Sequence, residues 1–593
     1  MTSATARKPQ DDFNWDVLGP LGLIGLVLLL ALKFVGARPF GLDNDNSAQW
    51  LQFAIAGGAL WVMAWGYQLA RQGKPGHKQV LRDRLLVVLG ASAFFGYFNF
   101  GHLHFNNFVH VWDTYHYYMG AKYFPEVGYE NLYDCAAVAD SESGRTDEVR
   151  RRTFTDLRTN IIVKSDAVLA NPQACKSHFS PERWEAFKKD INTFRGFVNE
   201  TRWKEIHLDH GYNATPVWTL AGIALTNTGP ASMAQLTRLN LLDPLYLALT
   251  LLVIWWAFGP RAFAVAALVL GTNFPNRFYW TGGAFLRHDW LFYLVASICL
   301  LKKEKPFLAG FAFAYATLLR LFPGLVAIGP AIAAFEYFRV HRKLDPRFLK
   351  YVAGGAVGTA LLFGSSLAFF GGIDTWQKFK TNTVKHANTP LTNHMGLRTV
   401  LSWRPDTIGQ KTVQGGTIDP WARWKATRLE KWHEALPLFF LIFAASIYLV
   451  WLALKQSGPD PWLASALGIG FIVVGSELTN YYYCFLAGIA LLHSQRREVG
   501  MMIAALAMVT QFINWHPLPW MSGWLDEQYV TMTLATLFTV WGIAWLFTKW
   551  GVEAALPPEP EPAVIFAGPS DAPARAEDKD RQDKRDKKQK KKR

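Results

Sequence analysis

Residues 110–124, HVWDTYHYYMGAKYF, follow an apolar stretch that is long enough to cross a membrane. They contain one carboxylate, Asp113, among aromatic rings, with the bases His110, His116 and Lys122 nearby. A carboxylate within reach of a hydroxyl can remove its proton while the hydroxyl oxygen attacks an electrophile. The segment therefore indicates acid–base chemistry at a membrane edge.

Other ionisable residues map to the same predicted depth, the outer half or outer edge of the membrane. They are Arg238, Asp243, Arg287, His288, Asp289, Arg320 and Glu477, with Lys385, His386, His394 and Arg398 in a later outer loop. Charges in such places are energetically costly and are usually functional. A proton relay would instead place carboxylates near mid-bilayer, with inverted repeats in the sequence, and neither pattern is found. Acids mixed with several cations suit a substrate that carries a phosphate and a hydroxyl.

Aromatic residues surround the lone acid. Tyr115, Tyr117, Tyr118 and Tyr123 are candidates to pack on the apolar faces of a sugar or a lipid. The alternative for each ring is membership of an interfacial aromatic belt.

Composition defines the protein class. The chain has 593 residues, of which 51% are hydrophobic and 18% charged, and it includes 25 Trp and 42 Phe. These values predict a polytopic membrane protein. Much of the net charge of +15 lies in residues 579–593, after a Pro-rich linker. This placement favours a disordered cytoplasmic tail near anionic lipid headgroups over a nucleic-acid-binding surface.

Hydropathy predicts about fourteen membrane crossings. They lie near 18–36, 50–70, 85–104, 238–257, 262–274, 289–301, 306–321, 323–338, 350–370, 434–454, 461–476, 480–493, 499–515 and 528–548. Lys and Arg concentrate in alternate short loops, so the positive-inside rule places both termini in the cytoplasm. The first apolar run lacks a cleavage site and is interpreted as a retained span.

Two segments, 105–237 and 371–433, are predicted on the outer side. In the first, Ser180 and Pro181 start a helix with one apolar face, which either lies on the membrane or packs inside a small outer domain. Cys135 and Cys175 lie in this oxidising location, so we expect a disulfide between them.

Four motifs resemble a known family. TYHYYMGAKYFPEVGYENLYD at 114–134 is similar to the first outer loop of GT-C glycosyltransferases, which use polyprenyl-phosphate sugars as donors. GGAFLRHDWL at 282–291, LLRLFPG at 318–324 and NHMGLRTVL at 393–401 resemble the mannosyltransferase-like members of glycosyltransferase family 87. The resemblance covers roughly residues 85–430, and leaves out the two spans before residue 85 and the basic tail.

The resemblance implies an all-α GT-C-like bundle with two large outer loops. The expected parts are residues 1–84 (cytoplasmic N-terminus and two extra spans), 85–370 (catalytic module), 371–433 (second outer loop), 434–548 (C-terminal spans) and 549–593 (basic tail).

The resemblance also implies residue roles. Asp113 is the expected general base, and Asp289 stands where several members carry a second acid. Here Arg287 and His288 precede Asp289, so its role stays open, and the alternative is that this pair faces the donor phosphate. Further donor phosphate contacts are expected from Arg320, Lys385, His386, His394 and Arg398, and substrate contacts from His116, Tyr117 and Lys122.

The function implied is inverting transfer of a hexose, such as mannose, to a lipid-linked or cell-envelope acceptor hydroxyl. The site would open on the outer side of the inner (plasma) membrane, and no cofactor or metal is expected. Two other classes stay open: a transferase of another type, such as a lipid-linked glycan ligase or a phosphoryl or acyl transferase, and a transporter or flippase for a charged lipid.

Each site residue also has a structural alternative. Asp113 is a candidate N-cap for a helix that begins at Thr114. The alternative for Arg320 is that its long side chain extends to the lipid headgroups. The alternative for His394 and Arg398 is that they are ordinary loop residues without a role in binding. A metal site built from His102, His104, His110 and Asp113 is disfavoured, because the two-residue spacing of the first pair shares a face only on a strand.

Overall fold

The computed structural model describes residues 45–105, 107–516 and 524–556. The predicted span at 18–36 and residues 557–593 of the basic tail lie outside the described residues. The described chain is almost entirely helical, with two small antiparallel sheets of two strands each. This confirms the predicted all-α class.

Six described helices are long and apolar enough to cross a membrane. They are Asn46–Arg71, Met233–Phe258, Pro346–Phe370, Ala422–Ser457, Arg497–Trp515 and Leu525–Leu546. The first of these spans is part of the helix Asp45–Arg71. The second consists of two consecutive helices, Met233–Asn240 and Leu242–Phe258. The protein is therefore an all-α membrane protein by the length and composition of these helices.

Other predicted spans correspond to shorter helices. These are Gln79–Tyr97, Pro260–Thr272, Asp289–Lys302, Pro306–Leu319, Ile328–His341, Pro461–Gly468 and Gly470–Gly475. Three-residue and six-residue 3-10 helices, Phe274–Asn276 and Phe322–Ala327, lie between some of them. The predicted span at 480–493 is not one α-helix, because 3-10 segments flank the short helix Leu486–Ile489.

The helix Pro346–Phe370 shows how local sequence sets these elements. Asp345 precedes the helix and its Oδ1 accepts a hydrogen bond from the Arg347 backbone N–H at 2.8 Å. Gly371, with φ +73°, ends it in the left-handed region. A Cβ on Gly354 would lie 1.8 Å from the Phe307 carbonyl oxygen of helix Pro306–Leu319. Small residues therefore let the two backbones touch, as in many membrane helix pairs.

Direct contacts join the basic short loops at one end of the molecule. The contacts are Arg261 with Asp83, Lys302 with Phe258 and Trp462, Arg347 with Glu304 and Asp460, Ser457 with the Phe547 carbonyl, and Arg496 with the Leu546 carbonyl. Loops that are far apart in sequence thus share one face, which we call the basic face. It carries the loops that the sequence assigns to the cytoplasm.

Residues 107–232 make up most of the first segment that the sequence predicts on the outer side, and we call them the outer domain after that prediction. Its helical elements are Val111–Lys122, Phe124–Val127, Leu132–Asp140, the π-turn Ser141–Arg145, Thr146–Arg151, Asp166–Leu169, Gln173–Lys176, Pro181–Gly196, Glu200–Ile206 and Pro216–Thr226. A hairpin pairs Thr153–Asp156 with Ile161–Lys164. Cys135 and Cys175 form the predicted disulfide, with Cα atoms 5.5 Å apart.

The helix Pro181–Gly196 resolves one alternative left open by the sequence. The Ser180 Oγ accepts a hydrogen bond from the Arg183 backbone N–H, so this residue caps the helix as predicted. Phe187 and Phe194 on its apolar face are fully buried within the protein. The helix therefore packs as an ordinary element of the outer domain.

The second predicted outer loop, residues 371–433, is largely helical. It contains the helices Asp374–Ala387, Leu397–Ser402 and Gly409–Thr412, and a two-residue strand, His394–Met395, that pairs with Leu478–Thr479. The next helix begins at Ala422, although the sequence places the start of the span at 434. Residues 422–433 thus extend a membrane helix outward, and the short helix Lys549–Glu553 follows the last long one.

Candidate functional site

Asp113 lies in the first turn of the helix Val111–Lys122. The residue that caps this helix is His110, whose Nδ1 accepts a hydrogen bond from the Asp113 backbone N–H at 3.1 Å. The alternative that Asp113 caps a helix starting at Thr114 is therefore wrong. Its carboxylate is left for contacts outside its own helix.

Backbone and amide hydrogen bonds fix this helix start against the turn at 282–289. The His110 backbone N–H donates to the Gly283 carbonyl at 2.9 Å, and Asn240 Nδ2 donates to the same carbonyl at 2.7 Å and to Thr114 Oγ1 at 2.9 Å. Gly283 has φ +67°, and a Cβ there would lie 1.8 Å from the Phe108 carbonyl oxygen. Glycine is therefore required where the two segments meet.

Arg287 is the partner of Asp113. Its Nε lies 3.1 Å from Asp113 Oδ2, and the arginine is 4% exposed. The Arg287 guanidinium stacks over the rings of Tyr117, 4.3 Å from the centroid, and Tyr481, at 5.2 Å. The guanidinium of Arg320, which is 6% exposed, also lies near the Tyr117 ring, 5.4 Å from its centroid. We call Arg287, Arg320 and these aromatic rings the arginine cluster.

The arginine cluster holds donors with no acceptor. Arg287 Nη1, Arg320 Nε and Arg320 Nη2 are buried and have no hydrogen-bond partner among the described residues. Arg320 Nη1 donates to its neighbouring carbonyl, that of Leu319, at 3.1 Å. Because buried donors are normally satisfied, these orphaned guanidinium groups indicate a site for an anion that presents several oxygens.

Asp243 organises the turn that carries Arg287. Its Oδ1 accepts the backbone N–H groups of Arg287 and His288, both at 2.7 Å, and its Oδ2 lies 2.7 Å from His288 Nδ1. His288 is therefore used to hold the turn. Asp289 is buried, and its Oδ1 accepts the Trp290 backbone N–H at 2.8 Å. The charges of Arg320 and Arg287 also act on this carboxylate, so Asp289 lies near the same two arginines.

Asp113 also lines a cavity of about 900 Å³. A second carboxylate in its wall, Asp209, was missed by the sequence analysis, because nothing in the polar stretch around it suggests a site. Asp209 Oδ2 accepts the Trp112 Nε1–H at 2.6 Å, and its side chain is 38% exposed. His116 lies 3.9 Å from the same oxygen and 2.6 Å from the Tyr133 hydroxyl, so it supports Asp209 from behind.

The carboxylates of Asp113 and Asp209 have opposite electrostatic environments. Burial raises the pKa of the Asp113 carboxyl, and the charges of Arg287 and His116 counter part of that rise. Burial acts in the same direction on Asp209, but the hydrogen bond with His210 and the neighbouring His116 outweigh it and hold the pKa of this carboxyl well below its usual range. Asp113 is therefore the better placed of the two to accept a proton, and Asp209 stays ionised.

His394 and Arg398 lie in a separate group that we call the Glu477 cluster. Glu477 Oε2 is 3.2 Å from Arg398 Nε and 3.8 Å from His394 Nδ1, and its Oε1 accepts the Thr399 hydroxyl at 2.9 Å. The charges expected to hold a phosphate are thus neutralised inside the protein. They fasten the second outer loop to the segment that carries Tyr481.

The remaining predicted site residues also have partners within the protein. Lys385 donates to the Leu157 carbonyl of the hairpin, and the ring of His386 lies 6.2 Å from that of His210. Lys122 is buried, with its Nζ 2.7 Å from Asp190 Oδ2. The structure therefore brings Asp113, Arg287, Arg320 and Tyr117 together, and places Lys122, Lys385 and His386 elsewhere.

No group of three or more His, Cys, Asp or Glu side chains among the described residues has the arrangement of a metal site. The ring of His102 instead stacks on Phe105 at 5.8 Å, and that of His104 lies 5.2 Å from His110. Comparisons with known proteins place the chain in no family, because it matches no protein-family model, no curated protein and no solved structure. The resemblance to GT-C glycosyltransferases therefore stays an expectation.

Proposed function

We propose that the protein is an inverting membrane glycosyltransferase that uses a polyprenyl-phosphate hexose as donor. One observation carries this proposal: Asp113 lines the large cavity and at the same time contacts Arg287 of the arginine cluster. A proton acceptor thus stands between a space for a hydroxyl compound and a group of cations for a phosphate.

The two spaces differ in charge. The cavity wall carries the acids Asp113, Glu205 and Asp209 and the bases Arg202 and Lys425, so its charges nearly cancel. The arginine cluster has guanidinium donors that lack acceptors. This division supports an acceptor hydroxyl in the cavity and the donor phosphate at the arginines.

The chemical step follows from this division. The Asp113 carboxylate takes the proton of the acceptor hydroxyl while its oxygen attacks the anomeric carbon from the face opposite the phosphate. The bond from that carbon to the phosphate oxygen breaks, and its electron pair leaves with the polyprenyl phosphate. Arg287 and Arg320 are already oriented to stabilise the charge that develops on the leaving group.

Helix direction supports an outward-facing site. The helix Leu525–Leu546 begins beside the cavity and ends at the basic face, and Ala422–Ser457 likewise runs from Trp424 and Lys425 of the cavity to that face. Under the positive-inside rule, the basic face is cytoplasmic and the site lies on the outer side of the inner (plasma) membrane. We propose about fourteen spans with both termini in the cytoplasm, and donor lipid arriving from the bilayer.

The decisive experiment is Asp113→Asn in protein reconstituted with labelled polyprenyl-phosphate sugars. We expect the rate of sugar transfer to fall by about 10²–10⁴-fold, because the amide cannot accept the proton. Donor binding should change little. Asp147→Asn, at a carboxylate whose side chain is 86% exposed, is the matched control and should transfer normally.

Near-normal transfer by Asp113→Asn would rule out the assigned role of this carboxylate. If changes at His394 or Arg398 abolished transfer while Asp113→Asn stayed active, a lipid-linked glycan ligase would be favoured. Movement of labelled lipid across vesicles without covalent product would indicate a flippase.

A further inference from the structure

We infer that the cavity beside Asp113 binds a neutral oligosaccharide of at least two sugar units. That this glycan is the acceptor rests on the proposed function, whereas its binding rests on the cavity alone.

Aromatic rings from several separate parts of the chain line the cavity. They include Trp112 of the outer domain, Tyr279 and Trp280 before the Arg287 segment, Trp421 and Trp424 at the start of the helix Ala422–Ser457, and Tyr481. Trp421 and Trp424 pack edge to face, with ring centroids 5.6 Å apart. Such rings offer broad apolar faces, which match the C–H faces of sugar rings, together with polar edges.

The two cationic side chains Arg202 and Lys425 of the wall each have an acidic partner, in the wall or next to it. Arg202 donates to Glu205 at 3.1 Å, and Lys425 lies 3.4 Å from Asp419. An anionic glycan would therefore find no free cation there, in contrast to the orphaned donors of the arginine cluster. An apolar chain would remove water from the Asp209 carboxylate, which is 38% exposed, without replacing the hydrogen bonds of that water.

Neutral hydroxyls satisfy both conditions. Asp209 accepts hydrogen bonds from them, and Asn393 and Thr392, which also line the cavity, have side chains able to donate and accept. Aromatic faces combined with neutral polar groups therefore specify an uncharged, hydroxyl-rich ligand.

Size excludes a single sugar as the full occupant. The volume of about 900 Å³ lies near the upper end of the range for sites that enclose drug-sized ligands. One sugar ring next to Asp113 would fill only part of it. Further units are needed to cover the wall formed by the second outer loop and Trp421.

The test is binding of purified full-length protein in lipid nanodiscs to an array of neutral and anionic glycans, each from one to six units long, without donor. We expect binding to neutral glycans of two or more units, and weak or no binding to single sugars. Trp421→Ala should weaken this binding at least about tenfold through loss of an aromatic face. Asp209→Asn, which keeps one acceptor oxygen, should weaken it less. Trp550→Ala, at an exposed tryptophan on the last described helix, should bind normally.

Several outcomes would overturn the inference: no neutral oligosaccharide bound anywhere on the array, binding confined to anionic glycans, equal affinity for single sugars, or full affinity in Trp421→Ala. The transfer assay keeps the two proposals apart. Glycan binding without any sugar transfer would refute the proposed function alone, whereas transfer to single-sugar acceptors without oligosaccharide binding would refute this inference alone.

Discussion

The arginine cluster and the Glu477 cluster are both basic, and the sequence assigns both to the donor phosphate. In the structure they differ in one respect. Arg398 and His394 surround the buried carboxylate of Glu477, which satisfies them within the protein. Arg287 contacts the Asp113 carboxylate, Arg320 interacts with Asp289, and both arginines keep buried donors that have no acceptor among the described residues.

This difference separates two uses of positive charge. A buried cation whose partners are all internal holds segments together, whereas one with unsatisfied donors is prepared for an incoming anion. The Glu477 cluster joins the second outer loop to the segment bearing Tyr481, and Tyr481 in turn packs against Arg287. Its contribution to the site is therefore positional.

The largest effect is expected for Arg287→Ala. Removing this guanidinium takes away a donor to the leaving phosphate and the partner of Asp113, so the transfer rate should fall by about 10²–10³-fold. Arg287→Lys keeps the charge but loses the planar fork, and should recover only part of the rate. Release of polyprenyl phosphate measures both variants, and a loss below threefold in Arg287→Ala would contradict the comparison.

Arg398→Ala should act on stability instead. It leaves the Glu477 carboxylate buried without its closest cation, which is expected to destabilise the fold by about 3–5 kcal/mol. Thermal unfolding in detergent measures this change, and donor affinity should stay within about threefold of the wild type. Lys204→Ala, which removes an exposed pair with Glu200, is the control with no measurable change. If Arg398→Ala weakened donor binding and left the stability normal, Arg398 would instead contact the donor phosphate.

The carboxylates of the two clusters should also be protonated at different pH values. Burial raises the pKa of Asp113, so the base form is lost at a higher pH than for an ordinary aspartate. Burial would raise the pKa of Glu477 too, but contact with His394 and the charges of Arg398 and Arg428 outweigh it and hold the pKa at about 2.

Because the pKa of Glu477 is lower in the folded than in the unfolded chain, its contribution to stability is complete above about pH 4.3 and disappears as the pH falls towards 2. Acidification from neutral pH should therefore reduce the transfer rate before it loosens this cluster. A pH–rate profile and unfolding temperatures measured at the same pH values test this order. A simultaneous fall of both would contradict it.

The smallest effect is expected at Tyr117, whose ring lies under both arginines. Its hydroxyl donates to Asn213 Oδ1 at 2.5 Å and so already has a partner within the protein. Tyr117→Phe keeps the ring and should change donor affinity by less than about threefold, whereas Tyr117→Leu should weaken it about tenfold through loss of cation–π contact. Equal losses in the two variants would show that the hydroxyl, and not the ring, serves the site.

Local patterns predicted much of the framework. Ser180 caps a helix as its sequence suggests, Cys135 pairs with Cys175, and long apolar runs such as 350–370 become helices of membrane-spanning length. These features depend on neighbours in sequence or, for the cysteines, on a choice between few partners. Errors occur where tertiary contacts override the pattern, as in the broken segment at 480–493.

The site was only partly predictable. Asp113, Arg287 and Arg320 stood out as charges at the edges of apolar runs, which is a property of the sequence. Asp209 lies in an ordinary polar stretch, and its position opposite Asp113 arises from the packing of the outer domain. Lys122 is an equally prominent charge in the sequence, but in the structure it pairs with Asp190, 68 residues away in the chain. A pair so distant in sequence could not be predicted from the local pattern.

The sequence by itself determined a helical membrane protein, a disulfide between Cys135 and Cys175 and an inventory of charges that border apolar runs, because hydropathy and thiol chemistry act through residue type. Only the tertiary structure decided which cations are paired, that Asp113 stands between an aromatic cavity and the arginine cluster, and that His394 and Arg398 are held by Glu477. The physical reason is that the energy of a buried charge depends on the few atoms within hydrogen-bonding distance, and folding brings those atoms from distant parts of the chain.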